Sequence, residues 1–99
     1  MKHKFFSYRG KKVYLEASSY QNGGGLAVCM MSRSGELYDV ITVNLPNGVP
    51  SDTMAFLDTN NHPDIEKFIR DNDLGQPTGL KMRSGFCAYP LYTLYTSNF

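Results

Sequence analysis

Cys87, His62 and Asp58 are the residue types of a thiol nucleophile, its general base and an orienting carboxylate. Such a triad works only with the imidazole in hydrogen-bond reach of the sulfur, and linear spacing supplies no distance. Cys87 also stands in an aromatic, strand-like run, Phe86-Cys87-Ala88-Tyr89, where a packed thiol is the commoner occupant. A metal set drawn from His3, His62, Cys29 and Cys87 follows no ligand pattern, with neither Cys-x-x-Cys nor His-x-x-x-His. Asp58-Thr59-Asn60-Asn61 carries the acid and amides of general acid–base work. The same types ahead of a helix fix a turn and cap orphan N–H groups, which is the simpler role. Gln21-Asn22-Gly23-Gly24-Gly25 lacks the Lys-Ser/Thr and the helix of a phosphate cradle, so it is expected to be a connection. The expectation is no enzyme, no catalytic residue, no cofactor and no metal.

Charge is the stronger signal. Residues 1–33 hold six basic side chains and one acid, Glu16, whereas residues 34–75 hold eight acids against Lys67 and Arg70. The net charge of +1 argues against a nucleic-acid-binding domain, which is usually strongly basic. From Asp52 to Asp73 six acids face two cations. That run is either a solvated helix face or an imitation of nucleic-acid phosphate fitted to a basic groove in a partner. Asp64, Glu66, Asp71 and Asp73 are the expected partner-binding residues. Asp52 and Asp58 are weaker candidates because both types serve as caps.

The elements that must position these groups follow from periodicity. Lys4–Tyr8 and Lys12–Tyr20 form a hairpin around Arg9-Gly10-Lys11, with Val13, Leu15 and Ala17 inward. Leu26–Met31 is a wholly apolar central strand. Glu36–Leu45 is a second long strand, with Leu37, Asp39, Ile41, Val43 and Leu45 on one face, and Pro46 ends it. Asn47–Asp52 is a turn-rich connection and Met54–Leu57 a short extended piece. One helix spans residues 63–72. Pro63 fits its first turn, Asp64 and Glu66 suit its N-terminus, Ile65, Phe68 and Ile69 make an apolar stripe, and Gly75 stops it. Gln76–Gly85 has no period and is expected to be an ordered loop; Phe86–Tyr95 closes the sheet. The sum is a single α+β domain over 1–99, a mainly antiparallel sheet of four to five strands with one principal helix. The expected core is Val13, Leu15, Val28, Met30, Ile41 and Val43, together with Phe56, Ile65, Phe68, Ile69 and Phe86.

Ninety-nine residues suit one domain with a modest core. Seven Tyr and six Phe, with no Trp, supply strands and binding surface alike. No apolar stretch follows the basic Met1-Lys2-His3-Lys4 start and no membrane-length run occurs. Cys29 and Cys87 are accordingly expected as reduced thiols of a cytosolic protein.

The ordered motifs Thr-Val-Asn-Leu-Pro (42–46), Ala-Phe-x-Asp-Thr-Asn-Asn-x-Pro (55–63), Leu-Gly-x-Pro-Thr-Gly (74–79) and Ser-Gly-Phe-Cys-x-Tyr-Pro-Leu-Tyr (84–92) resemble a family of small proteins. That family is carried on conjugative and phage-type elements of Gram-positive gut bacteria. Gly-x-x-Val-x-Leu (10–15) and Ser-Gly-Glu-x-Tyr (34–38) extend the resemblance over nearly the whole chain. His62 departs from it, since Cys is the expected residue there. The resemblance implies an anti-CRISPR protein that binds a type II Cas9 and interferes with guide loading or effector assembly. The acidic face then competes in the positively charged guide channel. The alternative is an accessory or regulatory protein-binding module of the mobile element with no role at Cas9. Neither implies a membrane or sequence-specific binding of nucleic acid.

Overall fold

Arg9 and Gly10 both lie in the left-handed region, at φ 51 and 78. That pair of angles makes a two-residue type I′ turn, whose twist matches the strands it joins. Strand β1 (Phe6–Tyr8) therefore pairs antiparallel with β2 (Lys11–Ser19), Tyr8 opposite Lys11 and Phe6 opposite Val13. The computed structural model describes residues 4–20, 25–45 and 51–99. The loop at 21–24, most of the 47–52 connection, Pro46 and the Met1–His3 start lie outside the described residues. Val13 and Leu15 are buried as their alternation requires. Ala17 is exposed, because β1 reaches only to Val13 and leaves the rest of β2 as an edge.

Strand β3 (Leu26–Ser32) lies between β2 and β4 (Leu37–Val40), giving a first sheet in the order β1-β2-β3-β4. Val28 and Met30 point into the core and are wholly buried. The expected long strand over residues 36–45 is broken. Its second half, β5 (Thr42–Val43), belongs to another sheet, ordered β5-β6-β8-β7. Ile41 is the corner. Its N–H donates to the Val28 carbonyl at 3.1 Å, and its own carbonyl accepts the Asp58 N–H at 2.9 Å. One residue thus hands the chain from the first sheet to the second, as strands do at the corners of packed sheets. The bend breaks the alternation. Leu37 and Asp39, assigned to the face of Ile41, are exposed, while Thr42 turns inward. Its Oγ1 accepts the Val28 N–H at 3.1 Å and lies 3.0 Å from the Tyr20 hydroxyl, which satisfies a buried polar group.

The second sheet is built from β5, β6 (Met54–Leu57), β7 (Gly75–Ser84) and β8 (Cys87–Leu94), all antiparallel. Helix α1 (Ile65–Asp71) falls inside the expected span and buries Ile65, Phe68 and Ile69. The fold is α+β, mainly antiparallel, with one principal helix; the strands are shared between two four-stranded sheets rather than one. Leu57, Leu74, Tyr92 and Leu94 join Val13, Val28, Met30 and Ile41 in the core between the sheets and helix. A smaller cluster covers the outer face of the second sheet, where Phe56 packs with Leu45 and Leu91 and half-buried Val43 joins them.

Three further expectations are corrected. Gly75 does not end the helix. Asp73 does, at φ 55, with Leu74 N–H bonded to the Ile69 carbonyl (2.8 Å) and Asp73 N–H to that of Arg70 (3.2 Å). This is a Schellman closure with an aspartate in the glycine position. Gly75 instead opens β7, where a β-carbon would come within 2.5 Å of the Thr93 carbonyl oxygen. Residues 76–84, expected as a loop, are most of β7; as an edge strand it is wetted on both faces and shows no alternation. Phe86, expected in the core, is fully exposed, because Gly85 (φ 63) and Phe86 form the tip of the β7–β8 hairpin beyond both sheets.

Candidate functional site

Asp64 occupies the N-cap of α1 but makes no side-chain cap. Its carboxylate turns to the first hairpin. Oδ1 accepts the Tyr8 hydroxyl at 2.6 Å and Arg9 Nη2 at 3.0 Å, and Oδ2 accepts Arg9 Nε at 3.0 Å. The Arg9 guanidinium, with help from the Tyr8 hydroxyl, holds this carboxyl down at about 2, against a smaller effect of desolvation. Burial, then the Asp64 hydrogen bond and charge, push the Tyr8 hydroxyl well above its ordinary range. Arg9 also lies over the Tyr8 ring, 5.1 Å from its centre. A non-glycine residue at positive φ is strained, and here two partners hold it in place.

His62 continues the same chain of contacts inward. It is buried, with Nδ1 3.4 Å from the Tyr8 hydroxyl and Nε2 3.1 Å from Asp39 Oδ2. The Asp39 contact lies outside hydrogen-bond geometry, and Nε2 is buried with no hydrogen-bond partner among the described residues. Both ring nitrogens face oxygens. Asp39 on β4, His62 before α1, Tyr8 on β1 and Asp64 on the helix cap therefore form one polar path joining three elements. The Tyr8 and Phe68 rings meet edge to face at 5.1 Å and seat the path on the core. Beside it lies an open groove of about 240 Å³, lined by Tyr8, Arg9, Asp64, Lys67 and Asp71 among others.

The four acids expected to bind a partner do gather on and beside α1, but three of them already have partners. Asp64 is paired with Arg9 and Asp71 with Lys67, one helical turn away. Glu66 accepts the hydroxyl of wholly buried Tyr92 at 2.7 Å. Burial first, then that hydrogen bond, push the Tyr92 hydroxyl up to about 12. Asp73 is exposed; its carbonyl takes Asn98 Nδ2 at 2.8 Å, and among the described residues its carboxylate meets no cation. Asp52 is exposed. Buried Asp58 is a turn-former, accepting the Asn61 N–H at 3.2 Å and Asn61 Nδ2 at 2.8 Å.

The residues of the candidate triad have other side-chain partners, although Asp58 and Cys87 both act on Tyr89 and the Asp58 carbonyl accepts the His62 N–H at 2.9 Å. The His62 ring faces Tyr8 and Asp39, Asp58 holds Asn61, and Cys87 stands opposite Ser84 beside Tyr89. Cys29 and Cys87 are both free, half-buried thiols. Among the described residues no three of His, Cys, Asp and Glu gather as metal ligands, and His3 lies outside them. No helix among them is long and apolar enough to cross a membrane. Sequence reasoning missed Tyr8 and Arg9. The available signal was Tyr-Arg-Gly at a tight turn, which puts a cation and a phenol on one short arm.

Comparison with curated proteins and with solved structures gives no match. Residues 14–99 match a family described as a domain of unknown function (DUF4313), and the chain belongs to that family.

Proposed function

We propose that this protein is a non-enzymatic binding module of the bacterial cytoplasm, carried by a mobile element, and that it inhibits a type II Cas9 by binding the guide-free enzyme. The observation that carries the proposal is the ordered motif set over residues 42–92. In the fold that stretch is the second sheet with its helix, apart from the segment around Pro46 outside the described residues. A surface organised in this way can be kept as one interface. Asp73, Glu66, Asp71 and Asp64 lie along its helical side and supply acceptors for a basic channel that is read through its electrostatics. Asp73, whose carboxylate meets no cation among the described residues, is the strongest contributor among them.

The ion pairs temper the phosphate-mimicry route. Arg9 and Lys67 neutralise Asp64 and Asp71, so the face is less negative than a count of its acids suggests. That observation favours a second proposal, an accessory or regulatory module of the mobile element that binds another protein. A cleavage assay separates the two. Protein added to Cas9 before the guide should block cutting, and protein added after guide loading should block it less. A protein that neither binds nor inhibits any compatible Cas9 in either order is the accessory module instead.

A further inference from the structure

The outer half of the β7–β8 hairpin combines three features. Strand β7 is the last in its sheet, so one edge of its backbone pairs with β8 and the other meets no strand among the described residues. Such an edge exposes N–H and C=O groups at strand spacing. From Gly75 to Phe99 there is no Asp or Glu. The two cations of that stretch, Lys81 and Arg83, are exposed, and the ion pairs among the described residues leave both out. Apolar side chains surround them: Leu80 is 60% exposed, Phe86 fully so, and Met82 reaches the outer-face cluster beside Tyr89.

Alternation along β7 sorts these side chains. Lys81 and Arg83 share one face of the strand, and Met82 takes the other. A strand laid beside them sets its own residues directly opposite, close enough for each pair to interact. The complementary segment therefore carries two acids, two residues apart, with an apolar residue between them. A second copy of this chain adding its own β7 would set Lys81 and Arg83 against the same cations, which is unfavourable. A nucleic-acid strand could stack on Phe86 and neutralise the cations, but its donors and acceptors do not alternate at strand spacing and so cannot continue the ladder.

We propose that the β7 edge from Leu80 to Ser84 docks an extended acidic segment of a partner protein, added as a strand with an acid–apolar–acid pattern. The site lies away from the α1 acids; Gly75, at the opposite end of β7, is where the strand meets Ile69 of the helix. It stands whether or not Cas9 is the target.

The test is an NMR titration of the intact, 15N-labelled protein with acetyl-Thr-Glu-Val-Glu-Val-Thr-amide. Its lysine-for-glutamate counterpart and an oligo-dT serve as comparisons. The acidic peptide is expected to shift backbone amides at 80–87 and to protect them from exchange. Lys81→Glu combined with Arg83→Glu should weaken its binding about tenfold or more. If that double variant loses its dispersed spectrum, Arg83→Gln and Phe86→Ser carry the comparison and each should weaken binding. Equal binding of the lysine peptide would overturn the proposal, as would no shift at the hairpin with the acidic peptide. Hairpin shifts caused only by oligo-dT, or by raising the concentration of the protein alone, would also overturn it, in favour of nucleic acid or self-pairing.

Discussion

Arg9, held at φ 51 in a two-residue turn, is gripped through both Nε and Nη2 by Asp64, the residue that opens α1 fifty-five positions later. The same carboxylate takes the Tyr8 hydroxyl, so one side chain ties the first hairpin to the helix. The two partners contribute unequally. Loss of Asp64 frees Arg9 into water at little cost but leaves the phenol of buried Tyr8 with only the longer His62 contact. Asp64→Ala should therefore destabilise by about 1 kcal/mol, with the half-exposed carboxylate keeping the cost at the low end. Arg9→Gly removes the ion pair and also the left-handed strain, two effects of opposite sign. Its urea midpoint should stay close to that of the unmodified protein, and a fall as large as that of Asp64→Ala would show that Arg9 is the stronger partner.

The pH dependence has two limbs. Folding lowers the Asp64 carboxyl from 3.8 to about 2, so the folded state binds fewer protons there. That contribution is complete above the unfolded value and fades as pH falls through about 2. Folding raises the Tyr92 hydroxyl from 10.0 to about 12, so its contribution is complete below pH 10 and fades as pH rises through about 12. Stability curves for Tyr92→Phe should flatten on the alkaline side only, and those for Asp64→Asn on the acid side, with a smaller change on the alkaline side where Tyr8 loses the charge that raises it.

Glycine at 75 and glycine at 85 should respond differently to alanine. At Gly75 the new β-carbon meets a backbone carbonyl at 2.5 Å and Leu94 Cδ2 at 2.9 Å, and the carbonyl cannot step aside without moving β8. Gly75→Ala should cost about 1–3 kcal/mol or more. At Gly85 the space is open and only the left-handed angle opposes alanine, at about 1–2 kcal/mol. Paired thermal melts give the order.

Phe68 and Phe86 test the packing in the same way. Phe68→Ala should cost about 3–5 kcal/mol, since its ring is buried against Tyr8 and Phe6. Phe86→Ala should change stability by no more than about 0.5 kcal/mol, because the hairpin tip packs on nothing. Urea midpoints of the two variants would contradict the hairpin assignment if they fell together.

Periodicity revealed what repeats. The stripe of Ile65, Phe68 and Ile69 and the alternation of Val13 with Leu15 are local patterns, and each was legible because one face meets the core. Ile41 was not legible as a corner, because apolar alternation runs on through it while the chain changes sheets. Strand β7 was hidden for the opposite reason, since an edge wetted on both faces leaves no pattern. At the candidate site the helix acids were visible, and so was the turn that Asp58 fixes, although it caps no helix. The diversion of Asp64 away from capping was not, because it depends on Arg9 and Tyr8 arriving from the other end of the chain.

The central functional claim is met most directly by a binding and cleavage experiment with guide-free and guide-loaded Cas9, in which Glu66 and Asp71 are reversed together to Lys and Asp73→Lys is made separately. The unmodified protein should bind guide-free Cas9 and block cutting when added before the guide, more weakly at high salt. Asp73→Lys should weaken it at least as much as the double reversal, because among the described residues the Asp73 carboxylate alone of the three meets no side-chain partner. Absence of binding and inhibition with every compatible Cas9, in either order of addition, would contradict the claim.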